Sequence, residues 1–309
     1  MRRSFAWVSA ARIRVVSLAG KLLPGATGRW AARQFRTPAK RGRSAALARA
    51  QSVDGVLRET VHADGYRIAT YRMGDRSRPL VLLVHGWNSY GLRFGAWIDR
   101  LLAAGYRVVA FDQPAHGLSS GEEASLVEFA QVLKSLLGTM GTPYAVIAHS
   151  LGATSLPFAI GTGRSPEKAV LIAPLSDPRA AAARMFSRFG LSAAAFAAFE
   201  SALNQRGHGT FDDYRPERAV SAMGAAALFV HDRDDAVTPW EEGRAFANSW
   251  PGSRLLSTSG LGHYRLLDDE YVITQALEFL TGASPVPHVV PARGRIHDDA
   301  FVSSMGADK

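Results

Sequence analysis

The stretch that most constrains the fold is an apolar run that ends at one serine between small residues, Tyr144-Ala145-Val146-Ile147-Ala148-His149-Ser150-Leu151-Gly152-Ala153. The run predicts a buried strand that turns sharply into a helix, with Ser150 at the corner. Such a corner crowds the positions two before and two after the serine, which are Ala148 and Gly152. Because small-Ser-small triplets also occur by chance, the rest of the chain decides what this one means.

The segments around this corner alternate between strands and helices. Predicted strands lie at residues 80–88, 106–111, 144–149, 168–173, 225–230 and 254–258. Helical patterns separate them, and Pro157 is expected to kink or shorten the helix after Ser150 unless it falls within the first turns of that helix. Asp64-Gly65 predicts a β-hairpin at the sheet edge between residues 56 and 73. Continuous apolar strands separated by helices predict an α/β fold, a mostly parallel sheet with helices on both faces.

Two motifs resemble those of the α/β-hydrolase family. The Ala-x-Ser-x-Gly pattern around Ser150 is close to the G-x-S-x-G nucleophile elbow. The loop Asp112-Gln113-Pro114-Ala115-His116-Gly117-Leu118-Ser119 is similar to the family's D-x-P-G-H-G-x-S loop, with Ala115 where glycine is usual. That loop is mainly structural in the family, so His116 is interpreted as a loop-fixing residue. The resemblance covers about residues 55–282.

The resemblance implies a catalytic triad in the order serine, acid, histidine. A serine hydroxyl needs a base to take its proton and a carboxylate to orient that base. His263 lies in the predicted loop before the last helix. Residues 231–239 resemble the family's H-G-x-x-D-x-x-V-P strand end, which implies Asp235 as the acid and leaves Asp234 as the alternative, with Asp232 in place of the usual glycine. The implied catalytic residues are Ser150, Asp235 and His263.

The resemblance also implies an oxyanion hole, formed by the backbone N–H groups of Trp87 and Leu151. Trp87 and Asn88 are further expected to line the substrate entrance. His85 is interpreted as shaping its own loop, and His149 as a packed neighbour of the nucleophile.

Residues 175–220 interrupt the alternation with helical, aromatic and alanine-rich stretches. We interpret them as a helical cap inserted over the carboxyl edge of the sheet, where open α/β sheets bind ligands. An ordinary core-packing helix pair is the alternative. Met185, Phe186 and Phe189 are predicted to line the substrate pocket.

The positive charge of the chain is concentrated at its N-terminus. The net charge is +9, yet residues 1–50 hold 12 Lys and Arg with no Asp or Glu, which leaves −3 for the remainder. We interpret residues 1–54 as a basic amphipathic arm of one or two short helices that contacts either the protein or, peripherally, a membrane surface. A solvated or partly disordered tail is the alternative. Nucleic acid is not an expected partner, because the remaining globule is slightly acidic.

No window of this arm reaches the roughly 18 apolar residues that a spanning helix needs. Arg12 and Arg14 interrupt the apolar core that an export signal would require. The sequence therefore predicts a cytoplasmic protein, membrane-associated if the arm binds lipid. Residues 283–309 are expected to form a loosely ordered tail.

The chain contains no cysteine, which excludes disulfides, thiolate metal sites and a cysteine nucleophile. No metal or organic cofactor is implied. A serine nucleophile also excludes the epoxide opening and dehalogenation that the same fold performs with aspartate.

The predicted function is hydrolysis of a small-molecule carboxylic ester of an apolar acyl group, through an acyl-enzyme at Ser150. The open alternatives are thioester or amide cleavage, an acyltransferase and a lysophospholipase-like peripheral membrane lipase. A non-catalytic protein that binds an apolar ligand on the same fold is the alternative of another class.

Overall fold

The computed structural model describes residues 10–39, 41–53, 55–160, 165–205, 210–215, 218–220 and 223–282. The contacts divide the chain into two compact units. We call the described parts of residues 1–34 and 179–210 the helical unit, and the described parts of residues 35–178 and 211–290 the sheet unit. The predicted tail at 283–309 lies outside the described residues.

The sheet unit contains an eight-stranded sheet with the order β1-β2-β4-β3-β5-β6-β7-β8. The strands are β1 (Leu57–Ala63), β2 (Tyr66–Met73), β3 (Leu80–Val84), β4 (Arg107–Phe111), β5 (Ala145–His149), β6 (Lys168–Ile172), β7 (Ala226–Asp232) and β8 (Arg254–Thr258). β3 to β8 run parallel to one another, whereas β2 is antiparallel to both of its neighbours. The predicted α/β class with a mostly parallel sheet is confirmed.

Between β3 and β8, helices alternate with strands as predicted, and further helices precede β1 and follow β8. The described helices, in chain order, are α1 (Ala10–Leu22), α2 (Pro24–Arg36), α3 (Arg41–Ser52), α4 (Gly95–Ala103), α5 (Leu126–Met140), α6 (Leu151–Ile160), α7 (Pro178–Arg188), α8 (Ala193–Asn204), α9 (Trp240–Ser249), α10 (Gly262–Arg265) and α11 (Glu270–Thr281). Short 3₁₀ helices lie at Gly91–Phe94 and Phe211–Tyr214. Pro157 does not end α6, which continues to Ile160.

The sheet is buried on both faces, which explains why its central strands read as continuous apolar runs. Along β3, Leu82 and Val84 belong to the cluster that includes α5, α6 and α9 residues, while Val81 and Leu83 belong to the cluster that includes α4 and α11 residues. Successive side chains of a strand point to opposite faces, so each core takes every second residue.

Local signals in the sequence account for two of the element boundaries. Asp64 (φ 48°) and Gly65 (φ 78°) both adopt the left-handed conformation that a tight hairpin turn requires, and they join β1 to β2 at the edge of the sheet. Ser125 caps α5 by accepting a hydrogen bond from the Val127 N–H at 3.1 Å.

The helical unit contains α1, most of α2, α8 and nearly all of α7. Its α1 is held to the turn before α8 by two hydrogen bonds, from Ser17 Oγ to the Gly190 carbonyl (2.8 Å) and from Ser192 Oγ to the Gly20 carbonyl (2.7 Å). Gly28 of α2 packs so closely on α8 that a Cβ there would lie 2.6 Å from the Ala195 carbonyl oxygen. The first part of the predicted arm is thus packed with helices from residues 179–205.

The rest of the predicted arm belongs to the sheet unit. Ala124 N–H donates to the Arg36 carbonyl (2.8 Å), and Arg43 Nη2 donates to the Gly121 carbonyl (2.8 Å). Residues 1–54 therefore supply three described helices, where one or two were expected. No helix in the described ranges is both long and apolar enough to cross a membrane.

Candidate active site

Ser150 occupies the corner between β5 and α6 in a left-handed conformation, with φ 53°. Its N–H donates to the Ile172 carbonyl at 2.8 Å, which fixes the corner to the neighbouring strand. A Cβ at Gly152 would lie 2.4 Å from the His85 carbonyl oxygen, so only glycine fits there. A left-handed non-glycine residue costs about 1–2 kcal/mol, and the surrounding sheet holds the serine in that conformation.

The three side chains predicted to be catalytic form a hydrogen-bonded series with His263 in the middle. His263 Nε2 is 3.0 Å from Ser150 Oγ, and His263 Nδ1 is 2.7 Å from Asp235 Oδ2. All three residues are buried. Because a carboxylate only accepts, Nδ1 carries the imidazole proton and Nε2 has a lone pair directed at the serine hydroxyl. His263 lies in the single turn of α10, where the sequence predicted a loop.

The carboxylate of Asp235 is fixed by groups of its own loop. Its Oδ1 accepts the N–H groups of Val237 (2.8 Å) and Thr238 (2.9 Å), which leaves Oδ2 for the histidine. Burial on its own would raise the pKa of Asp235. Hydrogen bonds from His231 and His263, the positive charge that His263 has when protonated and the Thr238 N–H outweigh burial and hold the pKa well below its usual value. Asp235 therefore remains a carboxylate that can stabilise a positive imidazolium.

The other two aspartates of the cluster bind the loop that carries the histidine. Buried Asp232 accepts from Thr258 Oγ1 (2.7 Å) and from the Leu261 N–H (3.0 Å). Exposed Asp234 accepts from the Gly260 N–H at 2.8 Å. Of the three carboxylates, Asp235 is the one in contact with the His263 ring. Asp232, which stands where the family pattern has glycine, instead binds Thr258 and Leu261.

His149 holds the backbone of His263 in place. Its Nε2–H donates to the backbone carbonyl of His263 at 3.0 Å, and the two ring centroids are 4.8 Å apart. Burial holds the pKa of His149 well below its ordinary value, and so would a positive charge on the neighbouring His263; the His149 ring therefore stays neutral. The sequence did not predict this contact with the His263 backbone, and the position of His149 directly before Ser150 is the one signal for it.

The two residues predicted to form the oxyanion hole flank the serine. Leu151 is the first residue of α6, where an N–H has no partner within the helix. The backbone just before Trp87 is close as well, because a Cβ at Gly86 would lie 2.8 Å from Ser150 Cβ. The side chains of Trp87 and Leu151 both pack against the cluster of Ala115, Ala124 and Phe129.

The loops next to the serine are held by neutral histidines. His85 Nδ1–H donates to the Gly86 carbonyl (2.7 Å), and its Nε2 accepts the Gln113 N–H (2.9 Å). His116 Nε2 accepts the Asn88 N–H (3.1 Å), and its Nδ1–H donates to Pro114. Burial lowers the pKa of His85 to about 3 and that of His116 to about 4.

Four residues were predicted to line the pocket, and the structure places them in different units. Asn88 is exposed in the sheet unit, and its Oδ1 accepts the Ala39 N–H at 2.8 Å. Met185 and Phe189 are half-buried in the helical unit. Phe186 is 2% exposed and packs within that unit against Phe196 and Phe199, with centroids 5.0 and 4.6 Å away.

Comparison with known proteins agrees with this fold. A family model described as "Alpha/beta hydrolase family" matches residues 81–302. Probable oxidoreductase EphD of Mycobacterium tuberculosis is 34% identical over 100 residues, covering 30% of this chain and 17% of that protein. Monoacylglycerol lipase of Mycolicibacterium smegmatis is 31% identical over 109 residues, covering 33% and 38%. Epoxide hydrolase A of Mycobacterium tuberculosis is 33% identical over 98 residues, covering 30% of each.

These matches span less than two fifths of the length of each of the three relatives. Among solved structures, a thermophilic esterase from Thermogutta terrifontis superposes with a TM-score of 0.54 at 20% identity. That superposition covers 74% of this chain and 98% of the esterase, and it shows a shared fold.

Proposed function

Since the chain belongs to the α/β-hydrolase family, we propose that it is a serine hydrolase that cleaves carboxylic esters of apolar acyl groups. The observation that carries the proposal is the hydrogen-bonded series Asp235–His263–Ser150, with distances of 2.7 and 3.0 Å. A serine hydroxyl next to an oriented imidazole is suited to attack a carbonyl carbon.

In the first half of the reaction, Ser150 Oγ attacks the ester carbonyl while His263 Nε2 takes the hydroxyl proton. The imidazolium that results is stabilised by the Asp235 carboxylate, whose remaining oxygen is already held by two backbone N–H groups. His263 then gives the proton to the departing alcohol, and the acyl group stays on Ser150. Water, activated by the same imidazole, releases the acid in the second half.

The charge that develops on the carbonyl oxygen needs fixed donors. We assign these to the backbone N–H groups of Trp87 and Leu151, which is supported by the position of Leu151 at the start of α6 and by the contact of Gly86 with Ser150. Removing one such donor typically costs about a hundredfold to a thousandfold in kcat.

The named relatives include an epoxide hydrolase and a monoacylglycerol lipase, which differ in reaction. An ester-cleaving enzyme is favoured here because residue 150 is serine, whereas the same fold opens epoxides with an aspartate at this position. The similarity to the lipase supports an apolar acyl group.

The test is a paired assay with p-nitrophenyl butyrate and styrene oxide. We expect turnover of the ester and none of the epoxide, and we expect Ser150→Ala to abolish ester turnover. Ser155→Ala is the matched control, since its buried hydroxyl donates within α6 to the Gly152 carbonyl and contacts none of the three catalytic groups. Epoxide turnover by the wild type, or ester turnover that survives in Ser150→Ala, would contradict the proposal.

A further inference from the structure

The helical unit exposes a group of large apolar side chains that nothing in the proposed reaction uses. Five side chains between residues 13 and 34 are at least half exposed: Val15 (68%), Leu18 (57%), Leu22 (70%), Leu23 (63%) and Trp30 (50%). Exposed apolar side chains that are grouped on one face of a protein commonly mark a binding surface.

The inner side of the same two helices is already occupied. Ser17 and Gly20 of α1 exchange hydrogen bonds with the turn before α8, and Gly28 of α2 lies against α8 itself. Positions 15, 18 and 22 follow the three- and four-residue spacing of one helix face, which points away from that contact. We call the exposed side chains of residues 14–33 the outer face.

The outer face continues from α1 into α2. The Leu23 N–H donates to the Ala19 carbonyl (2.8 Å) and the Thr27 N–H donates to the Leu23 carbonyl (3.0 Å), so helical hydrogen bonds run through the junction at Pro24. The apolar side chains of the two helices therefore follow one another along one stretch of backbone, and Trp30 lies near its end.

Positive charge borders these apolar side chains. Arg14 and Lys21 are exposed on α1, and Arg29 is exposed on α2. Residues 10–34 and 179–205 together contain eight Lys or Arg and a single acidic residue, Glu200. Glu200 is bound by Arg179 at 2.6 and 3.0 Å, so it does not offset the charge of α1 and α2.

A partner of this face must be apolar and negatively charged at once. Nucleic acid would meet the arginines but would gain nothing from Leu18, Leu22 and Leu23. A second copy of the chain would bring the same positive charge against itself. An anionic bilayer satisfies both requirements, because lipid phosphates attract Lys and Arg while the acyl boundary takes up leucine and tryptophan.

We infer that the outer face of α1 and α2 docks on anionic lipid bilayers. Leu18, Leu22 and Trp30 enter the boundary between headgroups and acyl chains, and Arg14, Lys21 and Arg29 contact lipid phosphates with their stems extended along the apolar surface. This inference does not depend on the reaction proposed for Ser150.

The test is sedimentation of the full chain with vesicles, either of phosphatidylcholine alone or with roughly one third phosphatidylglycerol. We expect pelleting with the anionic vesicles and release at about 0.5 M salt, where surface charges are screened. Leu18→Ser with Leu22→Ser, and separately Arg14→Glu with Lys21→Glu, should each lower the partition coefficient more than tenfold. Leu57→Ser and Arg76→Glu, exposed positions of the sheet unit, are matched controls that should pellet like wild type.

Quenching by lipids brominated in the acyl chain reports on insertion directly. We expect bound protein to lose part of its tryptophan fluorescence, and Trp30→Phe to remove that loss while its thermal midpoint stays unchanged. Equal pelleting with neutral and anionic vesicles, unchanged binding in the leucine double variant, or retention on immobilised DNA without vesicle binding would each overturn the inference.

Discussion

At the scale of single residues, three aspartates within four positions have three different contacts. Asp235 holds the imidazole of His263, whereas Asp232 and Asp234 hold the backbone of the loop that precedes it. The contacts differ because each carboxylate binds a different group within residues 258–263. Substitutions at neighbouring positions should therefore have effects of very different size.

Asp235→Asn is expected to lower kcat/KM for a p-nitrophenyl ester by about four orders of magnitude, as in other triads whose acid becomes an amide. The amide would present a donor to Nδ1 and favour the wrong tautomer of His263. Steady-state kinetics at neutral pH measures the effect.

Asp234→Asn is the matched comparison, because Asp234 is adjacent to Asp235 and its carboxylate accepts a hydrogen bond from the exposed Gly260 N–H. We expect a loss under tenfold. A larger loss for Asp234→Asn than for Asp235→Asn would transfer the role of the acid to Asp234.

The meeting of Ser150, Asp235 and His263 was largely predictable, because chain order and motif spacing indicate which strand ends carry the three residues. The choice of Asp235 over Asp234 followed from alignment with a family pattern alone. The support by His149 and Asp232 was not predictable, because each bonds the backbone of a segment that is distant in sequence: the carbonyl of His263 and the N–H of Leu261. A hydrogen bond to a backbone group does not depend on the residue type of the partner, so the sequence does not indicate it.

At the scale of elements, strands and helices of the sheet unit follow directly from apolar runs and turn residues, and Asp64-Gly65 and Ser125 mark two boundaries. The packing of α1 and α2 with residues 179–205 could not be predicted from the sequence. It depends on glycines at helix contacts, and a glycine in a basic stretch indicates a close contact only once the neighbouring helix is known. Gly28 provides the test.

Gly28→Ala should destabilise the helical unit by about 1–3 kcal/mol, the usual cost of forcing a methyl group into a closed contact. Its Cβ would meet the Ala195 carbonyl oxygen, the Ala198 Cβ and the Phe199 N within 2.7 Å. Limited trypsin digestion should cleave after Arg29 or Arg33 at least several-fold faster, because local opening exposes that backbone.

Gly25→Ala in the same helix is the control. A Cβ there meets only the tip of the Arg29 side chain at 3.5 Å, so digestion should be no faster than in wild type. Equal digestion of both variants would show that α2 does not pack on α8 in solution.

At the scale of the whole molecule, buried neutral histidines couple stability to pH. Burial lowers the pKa of His85 to about 3, lowers that of His116 to about 4 and holds that of His149 well below its ordinary value of 6.5. The unfolded chain binds these protons near pH 6.5, whereas the folded chain does not. Stability is therefore complete above pH 6.5 and falls as the pH drops toward the folded-state pKa values.

Between pH 6.5 and 5.5, His85 and His116 should each remove about 1 kcal/mol of unfolding free energy, since one pKa unit corresponds to about 1.4 kcal/mol, and His149 should add to the loss. Urea unfolding midpoints at pH 7, 6 and 5.5 measure the slope. His149→Gln keeps an N–H for the His263 carbonyl and removes one titrating group, so the slope should be smaller than in the wild type. A slope that is flat in the wild type, or unchanged in the variant, would contradict this assignment of neutral histidines.

The central claim, that His263 and Asp235 make Ser150 a nucleophile, is tested most directly by intact-mass and peptide-mass analysis after incubation with a fluorophosphonate. The expected result is one adduct per chain, located on the peptide that contains Ser150, absent in Ser150→Ala and retained in Ser155→Ala. An adduct that persists in Ser150→Ala, or a folded wild-type chain that gains no mass, would contradict the claim.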